Sequence, residues 1–371
     1  MNVPIPVYQL WLCNNVGMRL ALLQDWSSLT YSRLHPVQSV GTLAVRVPKR
    51  YLGLIQVAGM VEVWMTPLPG MVPVHEGTYI IDKITRSYYD VAIGASHTTQ
   101  LLKFRIVVDA SGTAGANKSG PADDLIKAYA REQMATLTAA TARNLNNVMP
   151  FSVEADHGQG VSVTKEAAHA TLLQAAQDIV KAAQESLVNP MWVSFGVENV
   201  GHDTDFALML RTWVGYRSKD HSLGGPCPLV LSRFNCLDEI VREIDHTQEV
   251  NVAVIGGSGS GAGRVTQTVE NTLSTALAPY WRREAWVDGG NNSDTETLNE
   301  KGTRKLREAK ALDRFRATVK PHPSAAYGVH FDLGDLVAAE AEGRLWDCRV
   351  EGIVVTGDTG GVKLDVKLEI L

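Results

Sequence analysis

A glycine-rich stretch after an apolar run is the first place where this sequence could carry chemistry. Val252 to Ile255 lead into Gly256-Gly257-Ser258-Gly259-Ser260-Gly261-Ala262-Gly263-Arg264. A strand that ends in glycines lets bare backbone N–H groups approach a pyrophosphate. The spacing departs from both familiar cradles, however. A dinucleotide fingerprint needs a third glycine at 262 or 264, where Ala262 and Arg264 stand, and a phosphate loop needs lysine where Ala262 follows Gly261. The next residues, VTQTVENT, are polar and β-branched, so no amphipathic helix opens there. The stretch is expected to be a flexible hairpin or loop.

Ten histidines contain no HxxxH or HExxH pair, so the sequence presents no helical metal pair. His322 and His330 flank PSAAYGV, and His202 sits beside Asp203 and Asp205; each reads as a surface or hydrogen-bonded structural histidine. There is no GxSxG elbow, and no Ser-x-x-Lys accompanied by its companion motifs. Four scattered cysteines without a CxxC pair read as free, mostly buried thiols. Two local clusters remain. In Trp281-Arg282-Arg283-Glu284-Ala285-Trp286 the arginines can form an ion-pair cluster with the glutamate while tryptophans pack on the guanidinium planes. That pattern suits a pin between elements or subunits, or else an anion clamp. In Leu333-Gly334-Asp335 before an apolar strand, glycine suits a tight bend and Asp335 is placed to accept backbone N–H bonds. Metal binding by Asp332 and Asp335 lacks further ligands nearby.

The elements that must position these residues begin with β texture. Leu43, Val45 and Val47 alternate with Thr42, Ala44 and Arg46, and Val61, Val63 and Met65 repeat the pattern. Residues 78–84 and 101–108 read as further strands, which together indicate a barrel or sandwich. Residues 111–120, SGTAGANKSG, read as a linker. Pro121 with Asp123 and Asp124 then opens a helix carrying Leu125, Ile126, Tyr129, Ala130 and Met134. A second helix is expected over 164–187, with Leu172, Leu173, Ala176, Ile179, Val180, Ala183 and Leu187 on one stripe. WVSFGVEN and ALMLRTWVGY read as a hairpin joined by GHDTD. Ser293 with Glu296 forms a capping box for a helix whose inner face carries Leu298 and Leu306. Alternation returns at Leu364, Val366, Leu368 and Ile370. This order lacks the regular strand–helix alternation of a parallel α/β sheet. The class expected is α+β, mostly β, as two β units each accompanied by helical material.

Composition bounds the function. With 371 residues, 45% apolar and 20% charged, the chain buries ordinary cores across two or three domains. No apolar stretch approaches the roughly 20 residues of a membrane-spanning helix. The first residues lack the pattern of a secretory signal, so folding in a cytoplasm is the expectation. A net charge of −5 without a basic patch argues against gripping nucleic acid.

Four stretches together resemble the siphophage baseplate-hub proteins, a tail-tip family whose fold is shared with hub proteins of contractile phages. They are Asp25-Trp26-Ser27-Ser28-Leu29 with Tyr31-Ser32-Arg33 and Gly41-Thr42-Leu43; Tyr79-Ile80-Ile81-Asp82 with residues 118–127; the glycine turn ending in Arg264 with Arg282-Arg283-Glu284; and Leu333-Gly334-Asp335 before a terminal β unit. Order and spacing cover nearly the whole chain, although each motif alone is short. The resemblance implies two tail-tube-like β-barrels with smaller α/β domains attached: 1–108 the first barrel, 109–190 a helix-containing α/β domain, 191–265 the first part of a second β domain, 266–322 a helical insertion and 323–371 the closing strands. It further implies a homotrimeric ring in the virion tail tip, made in the host cytoplasm. Such a ring meets a distal tail or tube protein above and a tip or receptor-binding protein below, and DNA passes without specific binding. No catalytic residue, metal or cofactor carries over. Arg264, Arg282, Arg283, Glu284, Gly334 and Asp335 are the residues expected at structural contacts or interfaces.

Two rival readings are an enzyme and a sugar-binding module. The enzyme would be a tail-associated wall hydrolase or a nucleotide-binding protein using the turn from Gly256 to Gly263. The sugar-binding module would expose several of the eight tryptophans on one face.

Overall fold

The structure is a computed structural model that describes residues 6–37, 39–108, 117–135, 141–186, 191–217, 219–290, 293–320, 322–358 and 360–371. The first six residues of the expected linker, 111–116, lie outside these, as does Leu187.

Alternating apolar residues drive the main body. Strand Thr42–Pro48 buries Leu43, Val45 and Val47 and leaves Thr42, Ala44 and Arg46 in solvent, as a period of two demands. Eleven strands hydrogen-bond in one path: Leu237–Asp245, Leu312–Val319, Gly361–Ile370, Arg344–Asp358, Ser28–Leu34, Thr42–Pro48, Asp90–His97, Val74–Arg86, Met60–Thr66, Val7–Cys13 and Arg19–Leu22. Three more, Asp220–His221, Val230–Leu231 and Leu336–Ala341, attach beside Arg344–Asp358 to make a 14-stranded sheet. The N- and C-terminal β units are therefore continuous. They join where Ser28–Leu34 pairs antiparallel with Arg344–Asp358, from Gly352 opposite Leu34 to Asp358 opposite Ser28. A single apolar core, running from Tyr8 and Leu10 to Val366 and Leu368, draws on both units. The mostly β, α+β class read from the sequence is the class observed.

A second core belongs to a helical unit. Helix Ala122–Met134 starts after Pro121 and buries Leu125, Ile126, Tyr129, Ala130 and Met134. Asp123 and Asp124 do more than favour the helix dipole: they accept N–H bonds from Gln159, His157 and Gly158, which tie down the following loop. The second helix is shorter than expected. Thr171 caps Leu172–Gln184, while residues 162–166 form a strand paired with Asn117–Pro121, because β-branched Val163 and Thr164 lie against a ready partner edge. The strand expected over 101–108 is also corrected. A 3-10 helix, Thr98–Phe104, replaces its first half, since Thr98 and Thr99 spend their hydroxyls on Val197 of the facing hairpin. That hairpin, Val193–Gly201 with Ala207–Val214, shares its core with both helices, so the border drawn at 190/191 falls inside one packed unit.

A third, small core sits in a three-stranded sheet, Thr266–Glu270, Val252–Gly256 and Glu284–Asp288. Helix Thr295–Glu308 covers one face with Leu298 fully buried and Leu306 against it. Its cap is Asp294, which accepts from Thr297 N, rather than Ser293. Asp294 reaches the free N–H one residue further on, and this sets where the helix begins. No described helix is long and apolar enough to cross a membrane.

Candidate functional site: a buried charged junction

The two β units and the helical unit meet around a set of charges taken out of water. Strand Ser28–Leu34 sends Tyr31 into the core and Arg33 towards the junction, and Val74–Arg86 supplies Glu76. Tyr8, Tyr31 and Tyr79 stack edge to face, with centroids 5.9 and 6.3 Å apart, and wall the site on the core side. Arg33 Nη1 donates to Asp332 Oδ1 at 2.7 Å and to the Tyr327 hydroxyl at 2.6 Å. Glu76 Oε2 accepts from Tyr31 at 3.1 Å and from Tyr327, and lies 3.5 Å from Arg33 Nη1. From the hairpin, Glu198 pairs with Arg217, whose guanidinium stacks 4.1 Å from the Trp213 ring centroid. One network thus bolts together residues up to 299 positions apart.

Electrostatics follow from burial. Desolvation pushes the Glu76 carboxyl up, with Arg33 opposing it. Burial acts the same way on Asp332, but the Arg33 guanidinium, helped by Arg217, outweighs it and holds Asp332 low. Burial drives His97 down to about 4 and His75 to about 3. His35, sealed beneath the junction with Nε2 2.9 Å from Val193 O, is pushed down to about 4 for the same reason. Next door Glu62 is held at about 2: burial raises it, but hydrogen bonds from His202, Arg19 and Trp64 prevail. The elements enclose a cavity of about 170 Å³, lined among others by Glu76, His75, His97, Glu198, Asn199 and Arg217. Among the described residues, no group of three or more His, Cys, Asp or Glu side chains is placed to hold a metal ion.

The residues picked out from sequence fall in two places. Gly334 and Asp335 stand at the junction. Gly334 has φ +86°, and a Cβ there would lie 2.7 Å from Arg217 Cβ and 3.0 Å from Trp192. Asp335, fully buried, accepts from Lys219 N at 3.0 Å and Asp332 N at 2.9 Å, which fixes the loop presenting Asp332. Arg264, Arg282, Arg283 and Glu284 lie in the small unit instead. Arg264 donates to the carbonyls of Gly256 and Gly257 and to Asp288 at 2.8 Å, so the glycine turn is a hairpin closed by its own arginine. Arg282 pairs with Glu284 and Glu270, while Arg283 stacks on Trp281 and bonds His246 O. Sequence reading missed Glu76, Glu198 and Arg217 as site residues and met Arg33 only within a longer motif. Glu198 alone carries a local signal, a charge in the buried strand Val193–Gly201, while Arg217 follows the end of strand Ala207–Val214. Of the eight tryptophans only Trp286 is largely exposed, at 55%.

The fold is similar to that of solved phage tail proteins. It superposes on a 43 kDa tail protein of prophage MuSo2 from Shewanella oneidensis with a TM-score of 0.57 at 11% identity, covering 97% of each chain. For a tail protein from Neisseria meningitidis MC58 the TM-score is 0.58 at 14% identity, over 98% of this chain and 96% of that one. A chain of a Francisella PdpA–VgrG complex matches at 0.50 and 7% identity, all of this chain corresponding to 53% of it. More particularly, residues 241–370 match the model of the family described as Siphovirus ReqiPepy6 Gp37-like protein. No curated protein matches the sequence.

Proposed function

We propose that the chain is a structural tail-tip hub of a siphophage, in which three copies close a ring that continues the tail tube and hands it to the tip. The observation that carries this reading is a tail-protein fold along 97–98% of the chain. The sheet supports it. Among the described residues its path ends at Arg19–Leu22 and Leu237–Asp245, each hydrogen-bonded on one side, so two different edges are available for head-to-tail closure. The charged junction then serves as the bolt that keeps the two β units of one subunit at a set angle, as a ring of alternating units requires. Arg264, Arg282, Arg283 and Glu284 stiffen the small unit for contact with neighbouring tail proteins, and Gly334 and Asp335 hold the junction loop. The function is architectural rather than catalytic: the ring is assembled in the host cytoplasm and resides at the tail tip. A lumen that DNA crosses must not retain it, and a chain of net charge −5 suits that passage.

Light scattering of the purified chain, with negative-stain images of the same sample, tests the proposal. A mass of three chains and a ring with a central pore is the expected result. A monomer at every concentration, both alone and mixed with the other tail proteins, overturns it.

A further inference from the structure

Helix Thr295–Glu308 packs on the face of the small three-stranded sheet that carries Ala253 and Ile255. On the opposite face the register sets two rows across the strands: Thr268, Val254 and Trp286, then Thr266, Gly256 and Asp288. The outer residues of both rows, Thr266, Thr268, Trp286 and Asp288, are exposed. Trp286 is the most exposed tryptophan of the chain, at 55%. Its indole lies against Gly256, where a Cβ would run into the ring. Arg264 Cζ stands 5.2 Å from the ring centroid, and that guanidinium is itself fixed by Gly256 O, Gly257 O and Asp288 Oδ1. The sheet therefore presents a flat, held aromatic surface to solvent.

The groups around the ring say what it suits. Thr266 and Thr268 present hydroxyls that donate and accept, Asp288 accepts and Arg264 donates. The charges are already paired, Arg264 with Asp288 at 2.8 Å and, at the end of the sheet, Arg282 with Glu270 and Glu284 at 3.0 and 2.6 Å. Acids outnumber arginines in this set, so the face has nothing to draw a polyanion. An apolar partner surface would strand its polar groups. A neutral pyranose with equatorial hydroxyls matches both parts: its axial C–H groups form a flat apolar face for the negative face of the indole, and each hydroxyl can donate and accept at the rim. We propose that this uncovered face of the small unit is a platform for one neutral pyranose unit of a polysaccharide, stacked on Trp286 with its hydroxyls at Asp288, Arg264, Thr266 and Thr268. A single aromatic takes one sugar ring at a time, so each site is weak. The platform belongs to one chain and stands whether or not the chain closes a ring.

The test uses fluorine NMR of the full chain labelled with fluorotryptophan, in which the resonance missing from Trp286→Phe identifies the platform. Methyl β-D-glucopyranoside should move that resonance along a saturable curve with a dissociation constant of about 1–20 mM. Sorbitol, which carries similar hydroxyls without a ring, should leave it in place at the same concentrations. Saturation transfer from the protein to the glucoside should fall at least tenfold in Trp286→Ala and at least threefold in Asp288→Ala. No saturable shift up to about 200 mM glucoside, an equal response to sorbitol, or undiminished transfer in a folded Trp286→Ala overturns the proposal. So does a Trp286 resonance that moves only when other tail proteins are added, since the face is then a protein contact. Should Trp286→Ala not fold, the comparison of glucoside with sorbitol on the wild-type chain decides alone.

Discussion

Arg33→Met removes the guanidinium that bonds Asp332 and Tyr327 and faces Glu76, and its consequences can be worked from the contacts. The wild-type guanidinium makes bonds of 2.7 and 3.4 Å to Asp332 and 2.6 Å to Tyr327, and lies 3.5 Å from Glu76. The Asp332 side chain keeps 36% of its exposure, so water can replace part of what it loses. The Glu76 side chain keeps none. Removing one partner of a buried pair costs about 3–5 kcal/mol, because the other charge is left without compensation. The variant should lose stability in that range near pH 8. Glu76 already sits above the normal carboxylate range through burial, with Arg33 as the largest opposing influence, so the substitution raises it further. A carboxyl whose folded pKa exceeds its unfolded value keeps its stability below the unfolded pKa and loses it as pH rises through the folded one. The deficit relative to wild type should therefore grow as pH rises above the ordinary carboxylate value. Adding Glu76→Gln removes the stranded charge and should return about 1–3 kcal/mol at pH 8. Urea unfolding at pH 5, 6.5 and 8, followed by circular dichroism and tryptophan fluorescence, measures all of this. A loss below about 1 kcal/mol, a deficit that ignores pH, or a double variant less stable than Arg33→Met would refute the reasoning.

Two further outcomes are expected. His35, His75 and His97 are held near 4, 3 and 4, below their ordinary value, so their share of stability is complete above about pH 6.5 and drains away as pH falls towards 4. For His35, the most enclosed of the three, the loss between pH 7 and pH 5 is about 2 kcal/mol; His35→Gln should flatten the dependence of the urea midpoint on pH, and an unchanged slope counts against this assignment. Gly334→Ala puts a methyl group 2.7 Å from Arg217 Cβ at φ +86°; it should cost at least about 2 kcal/mol and lower the melting temperature, whereas Gly343→Ala, with φ +75° but open space around it, should cost less.

How much was legible in the sequence depends on how far the deciding contact lies along the chain. Helix Ala122–Met134 was readable because its stripe and its first-turn acids are local. The glycine turn was readable as a hairpin because its departures from the phosphate motifs are local too. The segment after His97 was not, since the hydroxyls of Thr98 and Thr99 answer to Val197, about a hundred residues away. The same holds for the charged junction. Arg33, Glu76, Glu198, Arg217 and Asp332 come from five separated segments, and of these only Glu198 stands out in its own window.

Strand Met60–Thr66 shows the division most plainly. Its alternation announced a strand with Val61, Val63 and Met65 on an inner face, and all three lie in the large core. Nothing in the alternation says that the other face is covered as well. Met60 packs into the helical unit's core, and Glu62 is buried against Arg19, Trp64 and Asn199. The sequence by itself determined the β-rich class, the helices with continuous stripes and the absence of the common catalytic motifs, because side-chain periodicity reports which way each residue faces. Only the tertiary structure decided which strands join the two β units, which edges stay open and which charges leave water together. Those outcomes depend on what each face meets, and a pattern of period two is blind to its partner.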